Sequence, residues 1–248
     1  QIEPIKNLRF KTVYGISYGA SEYRAYTPKY QFTPQTANTV SKVNQSHGHG
    51  LSMVWTNTLS YDFNIATEHH INALIGSELS TYDGSNTEGS NTGLIPGFDD
   101  WDHAYLVNTN GTENKTVKGS PYDSTRGMSY FARLGWTWKE RYMVNATMRA
   151  DGSSKFAKGN RWGYFPSVSA GWTISEEKFM ESVKSWFDFL KIRVSWGQVG
   201  NANINCYQYL APVSTTNTNY NFGSGGGQDA WVTGSYTSRL ANEKVKWE

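Results

Sequence analysis

RYMVNATMRADGSSKFAKGNRWGYFPSVSAGW, residues 141–172, decides the fold, because it holds two long alternating strands and the loop between them. Side chains alternate across a strand, so Tyr142, Val144, Ala146, Met148 and Ala150 share one face while Met143, Asn145, Thr147, Arg149 and Asp151 share the other. One face is apolar and the other is wet. Over Tyr164–Ser175 the pattern returns, with Tyr164, Pro166, Val168, Ala170, Trp172 and Ile174 opposed by Phe165, Ser167, Ser169, Gly171, Thr173 and Ser175. Alternation sustained for about ten residues exceeds the usual globular strand of about five or six.

With 248 residues the chain can form one large all-β domain or two smaller ones. Its 23 Lys and Arg against 21 Asp and Glu leave a net charge of +2, without the basic field that nucleic-acid binding requires. Aromatic residues make up 15% of the chain, yet mean hydropathy is −0.61 and no stretch is long and apolar enough for a transmembrane helix. A spanning strand needs only about ten alternating residues and leaves a weak hydropathy signal. Cys206 is the single cysteine, so no internal disulfide forms and the compartment stays unread. QIEPIKNLRF, residues 1–10, lacks the apolar core of a signal peptide, and the chain is expected to be processed or part of something longer.

Working outward, the first strand is expected at Leu8–Tyr18, followed by a long polar insertion over 19–50. Ser52–Tyr61, interrupted by Asn57, and His69–Leu79 form the second and third strands, joined by a short link at 62–67. A second polar insertion fills 82–125 and contains GFDDWDHAY at 97–105. Strand four is Ser129–Trp138, with a tight link at 139–141. After the two strands of the opening stretch, a brief connection at 176–186, with helical character, leads to strand seven at Phe189–Gln198. Beyond Gly200 the chain reads as loop, with strands expected at Tyr207–Val213 and from Lys244, and a flexible loop over 217–229.

Two regularities point to a barrel. Links after strands one, three and seven are long and that after five is moderate, whereas those after two, four and six are short, as in an up-and-down barrel with long loops on one side. Across strands four to seven the apolar face offers 20 positions and none is charged, although 18% of the chain is. Chance placement gives that about one time in fifty. Alternation does not say which face meets lipid, so the interior of a soluble, aromatic-rich carbohydrate-binding β-sandwich fits the same face. Strand length favours the barrel, as do aromatics at strand ends (Trp136, Trp138, Tyr142, Tyr164, Trp172) and polar faces rich in small residues with isolated Arg or Lys. The expected fold is all-β, an antiparallel up-and-down transmembrane β-barrel segment.

Several runs together resemble the SusC/RagA family of TonB-dependent outer-membrane transporters. They are Arg141-Tyr142, Arg149-x-Asp151-Gly152-Ser153-Ser154-x-Phe156, Asn160-Arg161-Trp162-Gly163-Tyr164-Phe165-Pro166-Ser167 and Leu190-Lys191-Ile192-Arg193-x-Ser195-x-Gly197-x-x-Gly200-Asn201. LANEKVKWE, residues 240–248, is similar to the family's LPNPxLKWE-type segment, with Ala241 and Lys244 departing from it. The resemblance implies that 1–248 is about seven or eight strands from the middle of a barrel of about 22 strands closed around a plug. Signal peptide, plug and TonB box have no counterpart in it. It further implies a Gram-negative outer-membrane location, energised import of oligosaccharides or peptides, a SusD-like surface lipoprotein as partner, and coupling to the TonB complex. The regions 19–50, 82–125, 152–163 and 199–235 would then be outward loops. The motif residues Arg149, Asp151, Gly152, Ser153, Ser154, Phe156, Arg161, Gly163, Tyr164, Phe165, Pro166, Gly197, Gly200 and Asn201 are expected to be structural, since Asp151-Gly152 is turn chemistry and Arg149 and Asp151 share a face.

The candidate ligand contacts are Asp99, Asp100, Trp101, Asp102 and Tyr105, an acidic cluster with aromatic surfaces that could offer oxygens to calcium or a stacking platform to a sugar. An ordinary solvated loop accounts for the same residues. His47 with His49 lies in a polar loop, and His69 with His70 points to opposite strand faces, so no metal set converges. Gly223–Gly227 lacks the ending of a phosphate loop. Nucleophile elbow, HExxH and Cys–His spacing are all missing, so neither catalysis nor a bound cofactor is expected, and a glycoside hydrolase draws support from aromatic content alone. The sequons at Asn44, Asn110, Asn114 and Asn145 carry no meaning in a bacterial barrel.

Overall fold

The computed structural model describes residues 1–112, 115–183, 186, 188–215, 218–221 and 231–248. In chain order its strands are β1 (Ile2–Ile5), β2 (Leu8–Thr27), β3 (Tyr30–Gln31), β4 (Ala37–Asn38), β5 (Lys42–Ile65), β6 (His69–Thr92), β7 (Thr116–Trp138), β8 (Tyr142–Ser153), β9 (Trp162–Thr173), β10 (Lys191–Gly197), β11 (Val213–Ser214), β12 (Asn219–Asn221), β13 (Trp231–Thr233) and β14 (Tyr236–Thr237). Short 3₁₀ turns occupy Leu106–Asn108, Ile174–Glu176 and Lys178–Val183. Among the described residues no helix is long and apolar enough to cross a membrane.

One eight-stranded sheet carries the fold, in the order β1-β2-β5-β6-β7-β8-β9-β10. Antiparallel register aligns the apolar positions into rows. Trp138 pairs with Tyr142, Tyr142 with Trp172 and Trp172 with Ile192; two apolar rows further, Leu134 pairs with Ala146, Ala146 with Val168 and Val168 with Trp196. The polar face aligns equally, with Gly135 opposite Asn145, Asn145 opposite Ser169 and Ser169 opposite Ser195. The apolar face stays open, with Trp196 60% and Val194 68% exposed. Among the described residues the remaining strands form three ribbons of two strands each, two or three residues long, too small to cover it. The soluble sandwich is thereby overturned, because a sandwich buries its apolar face under a second sheet.

Strand boundaries depart from expectation where the side chains stop alternating. β2 runs on to Thr27, β5 begins at Lys42, β6 runs on to Thr92 and β7 begins at Thr116, so much of the two polar insertions is strand. The face that carries Phe10, Tyr14, Ile16 and Tyr18 turns charged at Glu22 and Arg24. Backbone pairing continues there without an apolar face to advertise it. Ile174 leaves the strand for a 3₁₀ turn, and β10 is shorter than the expected 189–198. No strand forms over 207–212 or from Lys244, and the expected flexible loop at 217–229 falls largely outside the described residues, as do Asn114 and Gly223–Gly227.

Short links gather at one edge of the sheet, and each is clipped to a neighbour. The Lys139 N–H donates to the Glu68 carbonyl at 2.8 Å, and the Thr173 N–H donates to the Arg141 carbonyl at 2.8 Å. Lys139 and Glu140 both hold left-handed φ, 50° and 57°, as a two-residue hairpin requires.

Packing divides the chain into two compact units. One comprises Gln1–Val13, Trp55–Leu79 and Arg126–Glu248, and its buried side chains include Phe156 and Ala157. The other comprises Tyr14–Val54 and Ser80–Thr125, with a small core of Val43, Leu94 and Ala104 flanked by Tyr26 and Leu106.

Candidate functional site

The acidic-aromatic loop is fastened to the far end of β2. The Lys29 ammonium lies 3.1 Å from Asp99 Oδ2, and the Tyr26 hydroxyl donates to the Asp99 carbonyl at 2.9 Å and to Oδ1 at 3.2 Å. Asp100 accepts from the His103 backbone N–H at 3.0 Å and sits 2.9 Å from its ring Nδ1. Trp101 and Tyr105 share one cation, since the Arg24 guanidinium lies 4.5 Å from the first ring and 4.2 Å from the second. Behind them the Leu94 N–H donates to Ser41 Oγ at 3.0 Å and the Leu106 N–H to Gln45 Oε1 at 2.8 Å. Asp102 is exposed.

Electrostatics follow from these bonds. Burial works to raise the Asp99 carboxyl, but hydrogen bonds from Lys29, Ser41 and Tyr26 outweigh it and hold the group below its ordinary value. Bonds from the His103 side chain and backbone lower Asp100. Burial, with the Asp99 charge adding to it, raises the Tyr26 phenol. Asp99 and Asp100 already have partners, and among the described residues no group of three His, Cys, Asp or Glu side chains is placed to hold a metal ion. His47 reaches Glu22 at 3.8 Å and His69 stacks on Trp136, so the two pairs stand in separate surroundings.

The motif residues meet at a second place. Phe156 is fully buried and packs 5.2 Å from the Trp247 ring, which also takes the edge of Phe165 at 5.4 Å. Trp247 Nε1 donates to the Arg161 carbonyl at 2.9 Å, and Arg161 Nε donates to the Phe156 carbonyl at 3.3 Å. Ser153 donates its N–H to that same Arg161 carbonyl, while Ser154 exchanges hydrogen bonds with the Arg126 backbone. The Asn201 N–H donates to the Glu248 carbonyl at 2.8 Å. A Cβ on Gly163 or Gly200 would strike the Phe165 ring at 2.5 or 2.1 Å, so this packing requires glycine at both. Tyr164 and Pro166 stand in the apolar rows, and Gly152 and Gly197 pair with Trp162 and Ser167.

A profile of the TonB dependent receptor-like β-barrel family matches residues 5–248. The chain belongs to that family. TonB-dependent receptor SusC of Bacteroides thetaiotaomicron is 42% identical over 124 residues, 49% of this chain and 12% of that protein. TonB-dependent receptor P26 of Formosa agariphila is 32% identical over 195 residues, 77% of this chain and 18% of that protein. The chain thus spans less than a fifth of the length of either of these curated relatives. The solved structure of the RagAB peptide transporter superposes with a TM-score of 0.79 at 24% identity, covering 100% of this chain and 26% of that one, and shows the shared fold.

For a TonB-dependent receptor barrel the polar strand face is the lumen wall. On it Arg149 Nε forks onto Asp151 at 2.7 and 2.9 Å, its Nη2 reaches Ser129 at 3.2 Å and Glu78 at 3.6 Å, and Thr56 donates to Glu78 at 3.2 Å. Four strands are thereby tied by polar bonds on the side away from lipid. In the other unit a trough of about 620 Å³ opens beside Gly19, Gly48, Gly50, Ser21, Tyr82 and Asn86. Sequence reasoning missed Arg24, Tyr26, Lys29, Glu78 and Trp247 as partners. Arg24 and Tyr26 carried a usable signal, being spaced two apart on the continuation of the apolar face of β2.

Proposed function

We propose that this chain is the middle of a Gram-negative outer-membrane barrel that imports oligosaccharides or peptides by TonB-dependent uptake, together with a SusD-like surface lipoprotein. The observation that carries the proposal is the uncharged face aligned in register across β7, β8, β9 and β10, opposite a polar face, in a member of this family. The RagAB complex, with the same fold, is a peptide transporter. Strands of 20–24 residues support the reading too. At about 3.3 Å per residue they reach far beyond the 9–11 residues that cross hydrocarbon. Such strands would continue beyond the membrane, and β2 and β6 end in the loops at 28–41 and 93–112. There the Trp101 and Tyr105 rings and Asp102 would meet ligand or lipoprotein. No catalytic step enters this proposal.

The test uses the full-length protein. It should fractionate with outer membranes, require detergent, give a heat-modifiable band and copurify with a surface lipoprotein. Leu134→Arg should cost about 2–4 kcal/mol of folding stability by denaturant titration, because it puts a charge in the apolar rows. Ala20→Arg, on the same face of β2 beyond Tyr18, should cost about 0–1 kcal/mol. Equal costs would sink the membrane assignment. Trp101→Ala should weaken ligand or lipoprotein binding at least several-fold with unchanged folding yield, and unchanged binding would remove this loop from the site.

A further inference from the structure

The link that follows β9 differs from every other short link of the sheet. Residues 6–7, 66–68 and 139–141 are Lys-Asn, Ala-Thr-Glu and Lys-Glu-Arg, polar turns suited to water. The link after β9 instead exposes Phe179 at 63%, Trp186 at 86% and Phe189 at 69%. Aromatic surface left in water is unfavourable in proportion to its area.

Its fastening shows which side of the sheet it takes. Glu177 accepts from the Tyr142 hydroxyl at 2.5 Å and from Trp172 Nε1 at 3.1 Å, and Arg141 stands 3.5 Å from its other oxygen. Tyr142 and Trp172 both belong to the apolar face, so residues 177–179 of the link fold against that face and away from the lumen. The rings there form a row, in which Trp138 stacks on Tyr142 at 5.3 Å, Tyr142 on Trp172 at 6.3 Å, and Trp172 meets the edge of Phe179 at 6.4 Å. Phe179 extends this belt off the sheet. Tyr and Trp settle where an apolar body and a polar tip are both satisfied, at the boundary between headgroups and hydrocarbon. Here both polar tips point to one carboxylate that Arg141 neutralises, with the Lys178 side chain next to it in the chain and exposed.

We infer that the link after β9 is a membrane anchor lying along the headgroup and upper acyl layer of the leaflet on the short-link side, with Phe179 as its principal contact. The inference rests on the barrel reading. In it Glu177 is a positioning residue, holding the link against the belt while Phe179 enters the interface.

Spin labels test it on the full-length protein in phospholipid nanodiscs, with Cys206→Ser as background. Labels at Phe179→Cys and, independently, at Phe189→Cys are compared with Thr67→Cys in the polar 66–68 turn and Leu134→Cys in the apolar rows. Accessibility to oxygen relative to a water-soluble nickel complex should be several-fold higher at 179 and 189 than at 67, and lower than at 134. Ratios at 179 and 189 equal to that at 67 would place the link in water and overturn the anchor. Shielding from both reagents would mean that protein rather than lipid covers the link, which overturns the anchor as well. A nickel-favoured ratio at 134 would instead defeat the barrel reading, and with it the anchor.

Discussion

The loop at 154–161 in one unit and the loop at 93–112 in the other each follow a strand of the sheet, yet different forces hold them. The first closes over a fully buried Phe156, pinned by Trp247 and by hydrogen bonds to backbone carbonyls from Trp247 and Arg161. The second is held by polar partners that are partly or wholly exposed: an Arg24 cation against two rings, a Lys29–Asp99 pair and a His103–Asp100 pair. Close packing is expensive to undo, while half-exposed ion and cation–π pairs are worth little each. One loop is built as scaffold. The other can rearrange when a ligand offers competing contacts.

The contrast breaks most visibly at Phe156. Phe156→Ala should cost about 3–5 kcal/mol in denaturant titration, as for other buried Phe truncations, and open 154–161 to protease. A cost below about 1 kcal/mol would mean that the buried ring is no anchor. Smaller is Arg24→Met, which keeps the side chain's bulk but removes the charge. It should cost at most about 1 kcal/mol, with faster proteolysis inside 93–112 and none inside 154–161. A loss above about 3 kcal/mol would turn the second loop into scaffold as well.

Smallest is the response to acid. Asp99 and Asp100 have folded values lowered below the ordinary carboxylate value of 3.8, so their contribution is complete above it and is lost as pH falls through the lower folded values. Pepsin cleavage within 93–112 should therefore rise as pH drops from 4 toward 2, with 154–161 unaffected, since the bonds described for that packing use no carboxylate and its Arg161 keeps its charge throughout. Equal sensitivity of both loops would erase the distinction.

The strands of the 141–172 stretch were legible because each carries its own signal: a period of two, a face free of charge and tight links. The motif runs were legible as a set, although Phe156 and Trp247 stand 91 positions apart and nothing local announces their contact. Candidate residues Asp99, Asp100, Trp101 and Tyr105 could be named from composition, but their partners Arg24, Tyr26 and Lys29 could not. Arg24 and Tyr26 sit on strand hidden inside a polar insertion and Lys29 just beyond it, and although the spacing of the first two continues the β2 face, nothing local says that the loop at 93–112 folds back onto them. By itself, then, the sequence determined the class of fold, the apolar face and the family, because these follow from local periodicity and short motifs. Tertiary structure alone decided how far the strands run, which cation covers which ring, and that the link after β9 turns toward the apolar face. Each of those depends on backbone pairing or on contacts between distant segments, for which the chain carries no local pattern.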